Sequence, residues 1–360
     1  MEAVNRFSLA NSLIRSHAHF RSFKLDASFK AIDDLALACL PAKYTNLSMA
    51  RMQGSRYLMN TFNFDTHKDE SHCFDIDTLK GERLDMQIQN ISNCFFDGEY
   101  GLLVRYTRPI MIVRDLHEIG EVDVYGKYKD CKNGRPIHGR WSQQIGKTVY
   151  VVDKYETLYR IEWQDIKDGI YQAKKLELNN VKHFYADQRL DLATLHTNGR
   201  LDLNGDLPID LRKKIDSNAD WTIVNSIAKC WIVSGDLDGQ AIMASITNKG
   251  DIRSTLRLKL TSNGYEDHNE MAYGGIYALK NAYARHRRGI ILAIERDGCC
   301  HLISVEDGLM SKLQTIDSIV PQDLVDYERN RVVLSVTATD KAGEFIAGGY
   351  HWTKKITIKL

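Results

Sequence analysis

Three residues with metal-binding side chains stand together at 299–301, where the chain reads Cys-Cys-His. Thiolate and imidazole are preferred ligands of zinc. The run lies in an apolar stretch typical of a strand, and successive side chains of a strand point to opposite faces. Cys299 and Cys300 therefore cannot both reach one ion. We interpret them as buried thiols and predict no metal site.

The densest run of positive charge is Arg285, His286, Arg287 and Arg288, followed by Gly289. Guanidinium groups pair well with phosphate, so Arg285, Arg287 and Arg288 are candidate anion-binding residues for a phosphoinositide or a nucleic acid. The simpler interpretation is a solvated turn before an apolar strand at Gly289–Glu295. We treat anion binding as the alternative hypothesis.

A second polar cluster, within 65–72, combines Asp65, His67, Asp69, Glu70 and His72. It lacks the Gly and the spacing of a calcium loop, which indicates a solvated loop. The sequence also has no Gly-rich phosphate loop, no Gly-x-Ser-x-Gly and no His-Glu-x-x-His. A carboxylate pair for glycoside chemistry stays open, but none stands out. We predict no catalytic residue, no cofactor and no enzyme activity.

Composition gives the broad class of protein. The 360 residues are 43% hydrophobic and 26% charged with a net charge of +1, which is typical of a globular chain without a strong preference for polyanions. Seven scattered cysteines without a Cys-x-x-Cys pair favour reduced thiols and a cytoplasmic location, with a nuclear location as an alternative. No apolar run approaches the ~18 residues of a membrane span. Residues 1–25 are basic, and a mitochondrial targeting segment is a further alternative to an ordinary arm.

A repeated pattern positions all of these residues. Pairs of apolar strands joined by a short polar turn recur at 57–64/71–77, 101–106/110–115, 148–153/157–163, 190–196/199–204, 230–236/240–246, 289–295/299–305 and 344–350/355–360. Further strand-like runs precede these pairs at 44–52, 91–98, 137–143, 181–187, 221–228, 275–282 and 332–339, and follow them at 82–88, 120–126, 173–179, 210–215, 254–260 and 310–316. Turns such as Asn198-Gly199 and Asp297-Gly298 suit tight hairpins, because both residues accept positive φ.

Seven four-stranded antiparallel units at this period predict an all-β fold, a seven-bladed β-propeller. The seventh unit has no fourth strand of its own. We predict that a strand at 19–25, within an N-terminal arm of residues 1–43, pairs beside 355–360 and closes the ring formed by residues 44–360. Closure would remove an exposed sheet edge that favours aggregation.

The repeats resemble those of the WD-repeat β-propellers, most closely at 332–360 and 230–246. The family's Trp-Asp ending is absent: the equivalent places read Ile76-Asp77, Arg114-Asp115, Glu162-Trp163 and Val305-Glu306. No Gly-His precedes the repeats, so the family's Asp-His-Ser/Thr-Trp network is not carried over. Propellers that bind phosphoinositides use an Arg-Arg-Gly motif that opens a blade, whereas here the motif abuts a central strand.

In a propeller, the central hairpin turns and the connections between blades share one face. The long connections at 127–136, 261–274 and 317–331 are therefore expected on one side, and loops more often carry recognition than the scaffold does. Aromatic and Met side chains are enriched in interface cores. The predicted partner-binding residues in these connections are Tyr128, Tyr265, Met271, Tyr273, Leu324 and Tyr327.

The favoured hypothesis is a non-enzymatic scaffold for protein–protein interaction within a larger assembly, because the resemblance implies an interaction platform. Two alternatives belong to other classes. One is a phosphoinositide or nucleic-acid binder that uses residues 285–288. The other is an enzyme or small-ligand binder that uses the central channel.

Overall fold

Strands dominate the structure, a computed structural model. It describes residues 28–31, 44–52, 54–63, 65–78, 80–88, 91–105, 108–124, 139–178, 180–187, 191–204, 207–227, 229–237, 240–259, 273–278, 288–295, 298–316, 319, 333–338, 344–349 and 352–357. These residues form seven sheets, six with four strands and one with five. The all-β prediction is confirmed.

The first three sheets follow one another along the chain. Sheet 1 contains β2 (Tyr44–Arg51), β3 (Arg56–Asn63), β4 (Lys68–Asp75) and β5 (Lys80–Leu84). Sheet 2 contains β6 (Ile91–Asp97), β7 (Tyr100–Arg105), β8 (Met111–Arg114) and β9 (His117–Glu121). Sheet 3 contains β11 (Gly139–Ile145), β12 (Thr148–Asp153), β13 (Leu158–Glu162) and β14 (Gln172–Lys175), joined by the short β10 (Asp123–Val124).

The remaining sheets repeat the arrangement. Sheet 4 contains β15 (Val181–Ala186), β16 (Leu192–His196), β17 (Arg200–Leu203) and β18 (Leu207–Asp210). Sheet 5 contains β19 (Asp220–Ile227), β20 (Cys230–Leu237), β21 (Gln240–Thr247) and β22 (Ile252–Lys259). Sheet 6 contains β23 (Tyr273–Ala278), β24 (Arg288–Glu295), β25 (Cys300–Glu306) and β26 (Leu309–Ile316). Sheet 7 contains β27 (Val333–Ala338), β28 (Glu344–Gly349), β29 (Trp352–Thr357) and the N-terminal β1 (Ser28–Ala31).

Every sheet has the same irregularity in the same place, which marks the seven as copies of one unit. The register of the first strand against the second shifts between Asn46 and Ser48, Ile91 and Asn93, Gly139 and Trp141, Val181 and His183, Ile223 and Asn225, Tyr273 and Gly275, and Val333 and Ser335. An extra residue bends a strand and increases its twist. The first strands also contact one another in sequence from β2 to β27, and β27 contacts β2.

The core lies between successive sheets. Trp221 and Trp231 of sheet 5, for example, pack against Leu195 and Leu211 from sheet 4 and its connection. Central strands of sheets 2 to 5 are buried on both faces because each of these sheets packs against a neighbour on either side, which explains their nearly continuous apolar sequences. Each fully buried side chain of this size contributes about 1.5–3 kcal/mol by leaving water.

Within the described part of the chain, two connections contain short helices, α1 (Trp163–Lys167) and α2 (Leu211–Lys214). The strand predicted at 210–215 is therefore wrong. The Asp210 carboxylate accepts a hydrogen bond from the backbone N–H of Lys213 and caps α2, and this local bond competes with strand pairing. None of the helices among the described residues is long and apolar enough to cross a membrane.

The edge of sheet 2 also differs from the prediction. The fourth strand is β9 (His117–Glu121), whereas a single strand was predicted at 120–126. Residues Asp123 and Val124 form β10 instead, which pairs in parallel with β14 of sheet 3. After leaving sheet 2, the chain therefore adds a short edge strand to sheet 3 before it forms β11, the first strand of that sheet.

An N-terminal strand completes sheet 7, as predicted, but it lies later in the chain. Residues Ser28–Ala31 pair antiparallel with β29, with Ser28 opposite Thr357. The strand predicted at 19–25 lies outside the described residues. The last strand begins at Trp352, inside the predicted turn, because Gly349 pairs directly opposite Trp352.

Candidate interaction face and buried ligand cluster

The turns between second and third strands lie beneath the connections that lead to the next sheet. The Val181 N–H, at the end of one connection, donates to the Glu156 carbonyl at 2.8 Å. The Ile319 N–H, on another connection, donates to the Gly298 carbonyl at 2.9 Å. We call this side, which includes turn 154–157 and Gly298, the turn face.

Among the described residues, Tyr155 is the most exposed large apolar side chain of the turn face. It is 56% exposed, and the Lys154 ammonium lies 5.2 Å from its ring centroid. The turn beneath it is rigid, because one buried Asp153 carboxylate oxygen accepts the N–H groups of Tyr155 at 2.9 Å and Thr157 at 3.0 Å. An aromatic side chain on a pre-ordered backbone loses less entropy when it binds than one on a flexible loop, which suits an interface anchor.

Other exposed apolar residues divide between the two sides. Leu178, on the connection after β14, is 37% exposed on the turn face. Ile170 and Leu309 lie on the opposite side, at connections between third and fourth strands, and Leu309 is 50% exposed. These two residues provide matched controls for binding to the turn face.

Most of the predicted site residues lie outside the described residues: Tyr128, Tyr265, Met271, Leu324, Tyr327, Arg285 and Arg287. The backbone of Tyr273 is described, and it begins β23 opposite Glu295, so it does not belong to the preceding loop as predicted. The backbone of Arg288 begins β24 opposite Glu306 and not in a turn. Both strands therefore begin one or two residues earlier than the apolar pattern predicts.

Ile319 shows how the connection at 317–331 sits on the fold. Its side chain is only 1% exposed, and its N–H bonds to Gly298. At least this apolar residue of the connection is covered by the protein itself and is not available to a partner.

The polar cluster at 65–72 is not a fully solvated loop as predicted. Glu70 and His72 lie in β4 and are buried. Asn63 donates to the Glu70 carboxylate at 2.9 Å, and the His72 Nδ1 lies 3.2 Å from the Thr61 hydroxyl. Burial lowers the pKa of His72, although the neighbouring Glu70 carboxylate opposes the shift.

A second buried polar cluster lies at the turn of sheet 6. Glu295, Cys299 and His301 bring one potential ligand atom each to within 4.8 Å of one another. His301 Nε2 lies 2.6 Å from Glu295 Oε1 and 4.0 Å from Cys299 Sγ. Cys300 Sγ instead lies 3.4 Å from the Gly298 carbonyl. Cys299 and Cys300 thus have different contacts, as predicted for neighbours on a strand, whereas Cys299 and His301 share a face.

Comparison with known proteins was made by sequence and by structure. No family model matches the sequence, and no curated protein matches it. Similar solved structures include a chain of the mitotic checkpoint complex, with a TM-score of 0.58 and 9% identity over 94% of this chain and 95% of that one. The WD40 β-propeller domain of Doa1 has a TM-score of 0.52 and 14% identity over 93% and 96%. YCF48 bound to D1 peptide has a TM-score of 0.54 and 11% identity over 94% and 100%.

The fold is that of a WD-repeat-like β-propeller. At these low identities the similarity concerns the fold alone. In this propeller the two buried clusters occupy corresponding places, because Glu295 and Asn63 each end the second strand of their sheet.

Sequence reasoning missed two functional candidates in the propeller. Tyr155 could have been found, because an aromatic residue inside a three-residue polar turn has no core to pack into. Glu295 was harder to find, because the turn separates it from His301 in the sequence. Only the pairing register of β24 and β25 brings the two side chains together.

Proposed function

We propose that this protein is a non-enzymatic scaffold for protein–protein interaction within a larger assembly, and that its partner docks on the turn face. The proposed architecture is a closed seven-bladed ring formed by residues 44–360, with residues 1–43 as an arm. Two observations support closure: β27 contacts β2, and β1 completes the last sheet.

The observation that carries the proposal is the exposed Tyr155 on its clamped turn. An exposed aromatic side chain contributes nothing to the core, yet Asp153 holds its backbone in one conformation. Interface hot spots are enriched in Tyr, and pre-ordered groups bind with the smallest entropic cost. Leu178 adds apolar surface on the same side.

The long connections extend the proposed docking surface. We propose that loops 127–136, 261–274 and 317–331 contribute Tyr128, Tyr265, Met271, Leu324 and Tyr327, with Tyr273 at the edge of β23. Structural neighbours support a binding role, since one is part of the mitotic checkpoint complex and another was solved bound to D1 peptide. We also propose a cytoplasmic location, where the five described cysteines, buried and without disulfides, would remain reduced.

Affinity purification with quantitative identification of co-purifying proteins tests the proposal. Tagged wild-type protein is compared with Tyr155→Ala and with the control Leu309→Ala, which removes a comparably exposed side chain from the opposite face. We expect Tyr155→Ala to weaken a reproducible complex by about 1–4 kcal/mol, and the control to leave it intact. Thermal unfolding should be unchanged for both variants.

Two outcomes would contradict the proposal. If no stoichiometric partner accompanies wild-type protein, the scaffold function is wrong. If Leu309→Ala disrupts the complex and Tyr155→Ala does not, the partner uses the other face. Tight, salt-dependent binding of the wild-type protein to anionic liposomes or RNA would instead favour the anion-binding alternative.

A further inference from the structure

The cluster beneath the turn of sheet 6 has the composition of a zinc site. Glu295, Cys299 and His301 are each 1% exposed, and they present a carboxylate oxygen, a thiol sulfur and an imidazole nitrogen to one point. These are the three ligand types that zinc binds in proteins. It is the one such group of three or more among the described residues.

We propose that Glu295, Cys299 and His301 bind one zinc ion. This goes beyond the proposed scaffold function, and it does not depend on any partner. The ion would join the end of β24 at Glu295 to the start of the next strand, beneath the connection that carries Ile319.

The backbone places the three ligands without help from an ion. The Glu295 N–H donates to the Cys299 carbonyl at 2.7 Å, and the Gly298 N–H donates to the Glu295 carbonyl at 2.9 Å. Gly298 adopts a φ of +88°, which closes this tight turn and which other residues adopt only with strain. Cys299 and His301 are two residues apart and therefore project from the same face.

His301 is oriented as metal-binding histidines are. Its Nδ1 lies 3.2 Å from the Thr315 hydroxyl, while its Nε2 faces Glu295 and Cys299. Ligating histidines use the second ring nitrogen for a hydrogen bond that sets the tautomer and ring orientation. Thr315 supplies this contact from the adjacent strand β26.

Charge and distance both suit zinc. A thiolate and a carboxylate neutralise the two positive charges of Zn²⁺, so the loaded site is neutral where burial makes net charge costly. Ideal tetrahedral bonding separates a nitrogen and an oxygen ligand by about 3.3 Å, and a sulfur and a nitrogen ligand by about 3.5 Å. His301 Nε2 now lies 2.6 Å from Glu295 Oε1 and 4.0 Å from Cys299 Sγ. Side-chain displacements of less than about 1 Å would bring both distances to the tetrahedral values. Water fills the fourth position in zinc sites with three protein ligands.

The experiment measures metal binding by the full-length chain. Metal-free protein is titrated with Zn²⁺ in weak buffer, and bound zinc is counted by mass spectrometry. We expect one zinc per chain and the release of about one proton, because the Cys299 thiol must be deprotonated to bind the metal. Substitution with Co²⁺ should produce a thiolate-to-cobalt charge-transfer band, which reports a sulfur ligand directly.

Variants separate the proposed ligands from their neighbours. Cys299→Ser should abolish the charge-transfer band, and His301→Gln and Glu295→Gln should each weaken zinc binding about 10-fold or more. Cys300→Ser, one residue away with a different contact, is the matched control and should bind as wild type does. If the ligand variants fail to fold, the wild-type stoichiometry, proton release and cobalt spectrum decide alone.

Three results would overturn the proposal. Wild-type protein that binds no stoichiometric zinc would show that the cluster is a hydrogen-bonded pair beside a thiol. A cobalt spectrum without a thiolate band would exclude Cys299. If Cys300→Ser loses zinc binding and Cys299→Ser retains it, the sulfur ligand is Cys300 and not Cys299.

Discussion

The Tyr185 hydroxyl donates a hydrogen bond to Asn225 Oδ1 at 2.8 Å, which joins the first strands of sheets 4 and 5. Gln143 makes a comparable link one sheet earlier, where its side-chain amide donates to the Ala186 carbonyl and accepts from the Ala186 N–H, both at 2.9 Å. Hydrogen bonds between first strands therefore supplement the apolar packing between sheets. Burial raises the pKa of Tyr185 to about 12, so its hydroxyl stays protonated.

Tyr185→Phe should lower the free energy of unfolding by about 1 kcal/mol, because the substitution removes one of the two hydrogen bonds that Asn225 Oδ1 accepts, the other coming from the Ser226 N–H. Chemical denaturation of Tyr185→Phe, Asn225→Ala and the double variant measures the coupling between the two residues. We expect the double variant to be less destabilised than the sum of the single variants. Additive effects would show that the hydrogen bond contributes nothing.

Truncation tests which segment of the arm completes sheet 7. Removal of residues 1–31 deletes β1 and exposes the edge of β29, so we expect aggregation or a markedly lower melting temperature. Removal of residues 1–26 keeps β1 and should leave a soluble protein that unfolds cooperatively. Aggregation of the shorter truncation would indicate that a segment before residue 27 is also required.

The Asp97 carboxylate lies between two lysines of the next sheet, with Lys147 Nζ at 2.9 Å and Lys167 Nζ at 2.7 Å. Hydrogen bonds from Lys167 and Lys147 lower the pKa of Asp97. Its contribution is therefore complete above the unfolded-state pKa, near about 3.9, and is lost as the pH falls through the lower folded-state value.

Asp97→Asn should accordingly lower the stability at pH 7, by no more than about 1 kcal/mol because these ion pairs are partly solvated. The difference from wild type should shrink as the pH falls below about 4. Melting curves between pH 7 and pH 2.5 measure this. A difference that is independent of pH would show that the Asn variant acts through packing.

Arg288 pairs opposite Glu306 across β24 and β25. Arg288→Glu should therefore destabilise the protein by about 0.2–1 kcal/mol, since like charges at directly opposite register positions of an antiparallel pair are unfavourable. The sequence had instead placed Arg288 in a solvated turn before the strand. Glu306→Arg in the same chain restores opposite charges and should recover the loss, which thermal unfolding can measure. An unchanged melting temperature for Arg288→Glu would show that the charges are fully solvated.

The strands themselves were predictable from the sequence. Residues 91–97 and 181–186, for instance, form strands within one residue of the predicted bounds, because alternation and apolar runs are local properties. The sevenfold repetition followed from the spacing of those strands, and the resemblance to WD-repeat propellers lay in the local sequences at 332–360 and 230–246. Structural comparison confirmed the propeller type of fold.

Tertiary structure decided which strands pair and which side chains come into contact. Residues 211–214 turned into a helix because the Asp210 cap competes with pairing, and Val124 joined the neighbouring sheet because a free edge was available there. The meeting of Glu295 with Cys299 and His301 depends on the register of one hairpin, which composition does not encode. Local pattern therefore determined the strands, and long-range packing determined which side chains meet and which remain in solvent.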